Sequence, residues 1–188
     1  WNLFLAWIPF CISLYVLHTK HHFLTRPFAL LAITIVWLLF FPNAPYILTD
    51  LIHLKARGGV PIWYDAAILL SFAFNGLLIG CISLAQMHIV AERVMNQALA
   101  WFAVGVVIYL TSFGIYLGRV LRWNSWDVIT NPIALFKDIV TRLVAPHQYP
   151  RATGAVILLA VFLLGIYLVY LSLFQTKPVL ISSRKRAH

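Results

Sequence analysis

The feature that most limits the fold of this chain is a series of long apolar runs separated by short polar connections. The stretch from Ala152 to Phe174, for example, carries no charged side chain. A helix needs about 20 apolar residues to cross a bilayer, whose hydrocarbon core is about 30 Å thick. Because no water reaches that core, a spanning backbone must satisfy its own hydrogen bonds, as a helix does. The runs therefore predict an all-α, polytopic transmembrane helix bundle.

Composition also favours a membrane protein over a soluble one. Hydrophobic residues make up 62% of the 188 residues and charged residues only 10%, whereas soluble domains carry about 25% charged residues. The formal net charge is +9, but the basic side chains flank apolar runs, where anionic lipid headgroups attract them. We therefore predict membrane lipids as partners and no nucleic acid. Cys11 and Cys81 lie inside apolar runs, which is typical of small core residues.

One integral membrane domain with about five spans is predicted for residues 1–188. Prolines interrupt the second span, and a short helix completes its length. Asn131 and Pro132 begin an amphipathic helix, which we expect to lie in the membrane interface. The predicted spans are 1–17, 27–41 with the short helix 44–55, 66–90, 98–118 and 152–174, and the interfacial helix is 132–145. A further helix before Trp1 is an open alternative, because the chain begins inside an apolar run.

The segment Phe40–Leu54, with the sequence FFPNAPYILTDLIHL, is the most unusual part of these runs. Its prolines interrupt the helix, and Asn43 is expected to cap the short helix that follows. Tyr46, Asp50 and His53 are spaced i, i+4 and i+7, which places them on one face of an α-helix. Ionisable residues on an interrupted apolar segment indicate a site in a membrane protein.

A second polar stretch follows the fourth span and lies on the same side of a five-span bundle. Arg119, Arg122 and Trp123 are expected on one face of the helix end, where cations suit the helix dipole. Asp65 is expected to cap the third span, in which Gly76 and Gly80 form a close-packing pattern. The candidate ligand-binding residues from both stretches are Asn43, Tyr46, Asp50, His53, Asp65, Arg119, Arg122, Asn124 and Asp127.

Two kinds of interpretation fit these residues. Charges at a membrane boundary need partners, so the carboxylates are expected to pair with arginines. In the structural interpretation, Asp50 and Asp127 hold Arg119 and Arg122 in a clasp that joins two hairpins.

Three functional interpretations compete with the clasp. Asp50 and His53 are weak metal-ligand candidates, with Asp65 or Asp127 as a third ligand. Alternatively, His53 is a general base oriented by Asp50, and the arginines hold the phosphate or carboxylate of a lipid-linked substrate. In the third interpretation, the start of the short helix binds an anionic group without chemistry. Enzymatic activity and cofactors stay unknown at this point.

The charge distribution bears on orientation. Lysines and arginines divide equally between the two sides, but every acidic residue except Glu92 lies on the side of the candidate site. Lysines and arginines near membrane spans favour the cytoplasmic side, and those of the other side have no acidic partner apart from Glu92. We therefore expect the polar site outside the cytoplasm and the basic C-terminal tail, with Arg184 to Arg186, inside it.

Three stretches resemble the hallmark motifs of the DUF1361 family of bacterial membrane proteins. They are FPNAPYILTDLIHL (Phe41–Leu54), IWYD (Ile62–Asp65) and SFGIYLGRVLRWNSWDVITNP (Ser112–Pro132). The resemblance extends from the first helix to the last and implies a multi-pass protein of the bacterial inner membrane. The family is one of unknown function, so the resemblance implies no activity and no site residues.

The leading hypothesis is a small membrane protein that binds, or acts on, an anionic or lipid-linked ligand at the polar site. The alternative is a non-catalytic accessory or structural subunit of a larger membrane complex, whose partners are other membrane proteins. Transport is a third possibility, but short loops leave little room for the repeats that alternating access uses.

Overall fold

A computed structural model describes residues 2–19, 26–55, 61–123, 127–144 and 146–174, and each regular element in these ranges is helical. The all-α prediction is therefore confirmed. The α-helices are α1 (Asn2–His18), α2 (Pro27–Phe40), α3 (Asn43–Tyr46), α4 (Ile62–Val94), α5 (Gln97–Val120), α6 (Asp127–Thr130), α7 (Pro132–Val144) and α8 (Pro150–Phe174). The 3-10 helices are Ile47–His53 and Pro146–Gln148.

In the described part of the chain, four segments are long and apolar enough to cross a membrane. They are Pro27–Ile52, Ile62–Val94, Gln97–Val120 and Pro150–Phe174. The apolar helix α1 has 17 residues, which at about 1.5 Å per residue gives it a length of about 25 Å. These segments together agree with the predicted number of about five spans.

The proline-rich interruption bends one continuous segment and does not end it. Pro42 keeps a helical conformation, with φ −58° and ψ −23°. The amide of Ala44 donates to the carbonyl of Phe41 at 3.1 Å, and the amide of Tyr46 donates to that of Pro42 at 3.0 Å. From Ile47 to His53 the chain then continues as a 3-10 helix. The prediction of an α-helix over 44–55 was therefore wrong in helix type.

The start of α3 also differs from the prediction. Its N-cap residue is Pro42, and no side chain caps it. Asn43 lies inside the helix, where its Nδ2 donates to the carbonyl of Phe40 at 2.9 Å. The prediction that Asn43 caps the helix was wrong, because its side-chain amide donates to the Phe40 carbonyl, whose α-helical donor would be the Ala44 amide. That amide donates to the Phe41 carbonyl.

Four glycines of α4 and α5 allow this segment to enter the bundle, and we call them the glycine cradle: Gly76, Gly80, Gly114 and Gly118. A Cβ atom on Gly76 would lie 2.6 Å from the carbonyl oxygen of Ala44, which is too close for any real contact. On Gly80 it would lie 3.3 Å from Ala44 Cβ, and on Gly114 it would lie 3.3 Å from Pro42 Cγ. The predicted close packing at Gly76 and Gly80 is therefore present, and its partner is the interrupted segment.

The side chain of Asn75, next to this pattern, is exposed and donates to the carbonyl of Ser71 in its own helix, at 2.8 Å. Asn75 therefore points away from the packed face that Gly76 and Gly80 form.

Buried polar contacts join the helices inside the bundle. The hydroxyl oxygens of Ser13 and Ser83 lie 2.9 Å apart, which links α1 to α4. The indole of Trp37 in α2 donates to Ser83 Oγ at 2.9 Å. Near the other end of α4, His88 Nδ1 lies 2.9 Å from the Tyr167 hydroxyl of α8. These contacts fix which helices are neighbours, since apolar packing alone does not select partners in a lipid environment.

Candidate functional site

The centre of the candidate site is Arg119, at the C-terminal end of α5. Its Nη2 atom lies 2.5 Å from Asp50 Oδ1, which makes a charge-assisted ion pair. Its Nε and Nη2 atoms also donate to Thr49 Oγ1, at 2.9 and 2.6 Å. Arg119 thus joins α5 to two successive residues of the 3-10 helix, Thr49 and Asp50. Its contact with Asp50 is a pairing of carboxylate and arginine of the kind expected.

Two further side chains complete this group. The guanidinium carbon of Arg119 lies 4.5 Å from the centre of the Tyr46 ring, in a cation–π contact. Asn2 of α1 donates from Nδ2 to Asp50 Oδ2 at 3.2 Å. We call Asn2, Tyr46, Thr49, Asp50 and Arg119 the Arg119 cluster. It joins α1, α5 and the interrupted segment at one end of the bundle.

Local backbone geometry explains why these residues meet. A 3-10 helix has about three residues per turn, so side chains three apart lie above one another. Tyr46 and Thr49 therefore share the edge that faces Arg119. Gly118 lets the Tyr46 ring approach α5, because a Cβ at that position would lie 3.1 Å from Tyr46 Cε2. The prediction of a shared face for Tyr46, Asp50 and His53 assumed α-helical spacing, whereas Ile47–His53 is a 3-10 helix. Tyr46 and Asp50 nevertheless both contact Arg119.

Thr49 and Asn2 were missed in the sequence analysis. Thr49 carries a signal that could have found it, since it follows Tyr46 by three residues and so lies near it in either kind of helix. Asn2 carries no such signal, because its neighbours in the sequence at the start of an apolar helix do not indicate a contact with Asp50.

The Arg119 cluster is partly buried and electrically neutral. The side chains of Arg119 and Asp50 are 16% and 26% exposed. Arg119 directs its donors to partners within the chain, so the arrangement fixes the position of the interrupted segment. The apolar crevice of the bundle lies deeper, where Phe41, Gly80, Ile108 and Tyr167 contribute to its lining, and none of the cluster's side chains lines it.

Two other predicted residues, Asp65 and Asp127, lie in α4 and α6, which are not the elements that form this cluster. Helix α4 begins at Ile62 with Pro61 as its N-cap residue, so the prediction that Asp65 caps it was wrong. Asp127 accepts a hydrogen bond from Thr130 Oγ1 at 3.2 Å. Asn124 and the side chain of His53 lie outside the described part of the structure.

Arg122 lies beyond the end of α5 and does not continue its face. The helix ends at Val120, and Arg122 has a φ angle of 60° in the left-handed region. The amide of Trp123 then donates to the carbonyl of Leu117 at 3.2 Å. The prediction that Arg119, Arg122 and Trp123 share a helical face was therefore wrong, because the chain reverses direction at Arg122. Arg122 itself is exposed.

The metal interpretation gains no support from the described residues. Among them, no group of three His, Cys, Asp or Glu side chains is placed to hold a metal ion. Asp50 instead contacts Arg119 and Asn2. Both are hydrogen-bond donors here, so they occupy the carboxylate oxygens that a metal ion would need.

A second polar group lies on the same side of the bundle, and the sequence analysis did not identify it. Trp123 Nε1 donates to Asp138 Oδ2 at 3.0 Å, and Arg142 Nη1 lies 3.2 Å from Asp138 Oδ1. The guanidinium carbon of Arg142 lies 5.1 Å from the centre of the Tyr149 ring. We call Trp123, Asp138, Arg142 and Tyr149 the Asp138 cluster. It attaches α7 to the end of α5.

Curated proteins and solved structures gave no match. A family described as "Protein of unknown function (DUF1361)" matches residues 1–168, which include the Arg119 cluster and the Asp138 cluster. The chain therefore belongs to the DUF1361 family.

Proposed function

We propose that the chain is a multi-pass membrane protein that binds an anionic, lipid-linked ligand at the membrane face where α5 ends. The observation that carries the proposal is the conformation of Arg122, an exposed arginine at φ 60°. A non-glycine residue in a sparsely populated conformation costs about 1–3 kcal/mol, and such residues cluster at ligand sites. The same conformation ends α5, since the Trp123 amide donates to the Leu117 carbonyl, and glycine is the usual residue at such a helix end. An exposed arginine stands there in place of glycine, which fits a binding role for its side chain.

The distribution of charge supports Arg122 as the residue that contacts the anion. Arg119 is neutralised by Asp50, and Arg142 by Asp138. Among the described residues, no acidic side chain forms an ion pair with Arg122. A guanidinium group offers two parallel donors to a phosphate or carboxylate, which makes arginine well suited to bind an anionic headgroup. The Arg119 cluster then has a positioning role, because it fixes the end of α5 just before Arg122.

We also propose that this face lies outside the cytoplasm and that the protein resides in the inner (plasma) membrane. Orientation follows mainly from lysine and arginine residues close to the spans. On the proposed outer face, Arg119 and Arg142 are engaged in ion pairs with acids of the same face. On the opposite face the only acidic residue is Glu92, so fewer acids offset the lysines and arginines that favour the cytoplasm.

The test of ligand binding uses the full chain purified in a mild detergent. Mixed micelles of phosphatidylglycerol and phosphatidylcholine are added, and native mass spectrometry counts the bound lipids. We expect wild-type protein to retain phosphatidylglycerol and Arg122→Ala to retain about tenfold less, because a hydrogen bond to a charged group contributes about 1.5–3 kcal/mol.

Lys55→Ala is the matched control, because Lys55 is an exposed base near the end of the same interrupted segment. It should leave phosphatidylglycerol retention within about twofold of wild type, as expected for one exposed surface charge. Equal losses in the two variants would show that the lipid responds only to overall surface charge, and the proposed site would be rejected.

A non-catalytic accessory subunit is the second candidate function. The observation that favours it is the saturation of the Arg119 cluster, in which Asp50, Thr49 and Tyr46 all contact the arginine. A photo-crosslinker at the exposed Leu158 of α8 tests it in native membranes. One discrete adduct with another polypeptide supports the accessory function, and adducts with lipid alone reject it for this helix face.

A further inference from the structure

We infer that α7 is a membrane-surface helix whose exposed apolar side contacts the lipids of an anionic bilayer. Four apolar residues form this side, which we call the α7 stripe: Ile133, Phe136, Val140 and Val144. Their exposed fractions are 83%, 68%, 38% and 76%. They are spaced i, i+3, i+7 and i+11, so they follow a single face of the helix.

Asp138 and Arg142 lie on the side of α7 that faces the protein, whereas a surface helix in water turns such residues to the solvent. Asp138 contacts both Trp123 and Arg142. Leu135 and Ile139 pack against a buried group that α5 and α8 form. The helix is therefore attached through Asp138, Leu135 and Ile139, and the α7 stripe stays uncovered. In water such a contiguous apolar side is unfavourable, whereas at a bilayer surface it is the part that binds.

Length and position favour lipid as the occupant of the stripe. Helix α7 has 13 residues, which corresponds to about 20 Å and is too short to cross the hydrocarbon core. It is attached where α5 ends and α8 begins, and α8 presents its own exposed apolar residues Ile157 and Leu158. The α7 stripe therefore belongs to a helix that packs against two helices long and apolar enough to cross a membrane.

The charges beside the stripe match an anionic lipid surface. Lys137 and Arg151 are exposed, and the acid of α7, Asp138, is paired with Arg142. The exposed rim is therefore positive, and each base near an anionic surface contributes about 1 kcal/mol of attraction. A lysine next to the stripe can also extend its ammonium group to the headgroups while its alkyl chain stays in an apolar environment. The inference does not depend on Arg122.

The test is spin-label accessibility in the full chain, reconstituted into nanodiscs that contain phosphatidylglycerol. A nitroxide is attached at Phe136→Cys, and in a second protein at Val140→Cys, in a background with Cys11→Ala and Cys81→Ala. Leu158→Cys is the lipid reference, since Leu158 is 73% exposed on an apolar helix. Gln97→Cys, at the exposed start of α5, is the water reference. Relaxation by oxygen reports lipid, and relaxation by a water-soluble nickel chelate reports water.

We expect both α7 labels to be at least threefold more accessible to oxygen than to the nickel chelate, as at Leu158 and opposite to Gln97. High nickel accessibility would mean that the stripe faces water and would overturn the inference. Low accessibility to both reagents would mean that protein covers the stripe, either a second copy or another subunit, and would overturn it equally. In nanodiscs of phosphatidylcholine alone, nickel accessibility should rise about twofold or more, and no change would reject the preference for anionic lipid.

Discussion

At the scale of single residues, Arg119 shows how one side chain can satisfy several requirements of a membrane boundary. An arginine there needs an anionic partner, and Asp50 provides it at 2.5 Å. Its remaining donors need acceptors, and Thr49 accepts from two of its nitrogen atoms. The Tyr46 ring covers the flat side of the guanidinium. These contacts hold the Arg119 side chain in place, and Arg119 in turn fixes the positions of Tyr46, Thr49 and Asp50.

The first prediction concerns the acid of this pair. Asp50→Asn should lower the stability of the protein in detergent by about 1–3 kcal/mol, because the charged Arg119 loses its carboxylate partner in a partly buried site. The measurement is thermal unfolding followed by circular dichroism. Asp65→Asn is the control, since Asp65 lies in the first turn of α4, where a carboxylate contributes about 0.3–1 kcal/mol. Equal shifts in unfolding temperature would contradict a stabilising role specific to the pair.

The second prediction concerns the backbone of Arg122. Arg122→Gly should raise the stability by about 1 kcal/mol, because glycine adopts φ 60° without the steric cost that an L side chain carries. Arg122→Ala keeps a Cβ atom and should therefore give no such gain. The comparison is made by thermal unfolding of both variants beside wild type. If Arg122→Gly is no more stable than Arg122→Ala, the strain assigned to this position is absent.

At the scale of elements, the glycine cradle and the interrupted segment depend on one another. The segment approaches α4 so closely that the carbonyl of Ala44 would lie 2.6 Å from a Cβ on Gly76. Backbone contact at this distance is possible only beside glycine. The prolines of the segment interrupt its helical hydrogen bonds, because a residue without an amide hydrogen cannot donate to the carbonyl four residues before it.

The third prediction tests this dependence. Gly76→Ala should lower stability by about 1–3 kcal/mol, because the extra methyl group forces backbone to move in a packed region. Gly105→Ala is the matched control: Gly105 is in α5, and a Cβ there meets nothing within 4 Å. It should be neutral or stabilising by up to about 1 kcal/mol, as alanine is the better helix former. Thermal unfolding of both variants is the measurement. An unfolding temperature of Gly76→Ala equal to that of wild type would contradict the close approach of the Ala44 carbonyl to Gly76.

The sequence predicted the fold class and the approximate spans because these depend on the length and polarity of each run, which are local properties. It also led to the expectation that carboxylates pair with arginines here, since an unpaired charge at a membrane boundary is costly. The pair of Asp50 and Arg119 agrees with that expectation. It could not predict the 3-10 helix over Ile47–His53, because that geometry reflects packing against α4 and α5. For the same reason it missed Thr49, and it missed that Asp138 attaches α7 through Trp123, which lies in another element.

At the scale of the whole molecule, polar contacts join the helices near both ends of the bundle. At one end, the Arg119 cluster links α1, α5 and the interrupted segment. Near the other end, His88 and Tyr167 link α4 to α8. Helix α4 has 33 residues and is about 50 Å long, which exceeds the thickness of the hydrocarbon core, so it either tilts or extends beyond it. The arrangement predicts two chemically distinct faces, one with both polar clusters and one with His88 and Glu92.

The last prediction tests whether these faces lie on opposite sides of a membrane. Gln97 begins α5 and Arg151 lies at the start of α8, so α5 separates them. Each is changed to cysteine, Gln97→Cys or Arg151→Cys, in a background with Cys11→Ala and Cys81→Ala. In right-side-out membrane vesicles, a membrane-impermeant maleimide should label only Arg151→Cys, and after detergent lysis it should label both. Labelling of only Gln97→Cys before lysis would reverse the proposed orientation, because the Arg119 cluster lies on the Arg151 side. Labelling of both before lysis would mean that α5 does not cross, which would contradict the multi-pass arrangement itself.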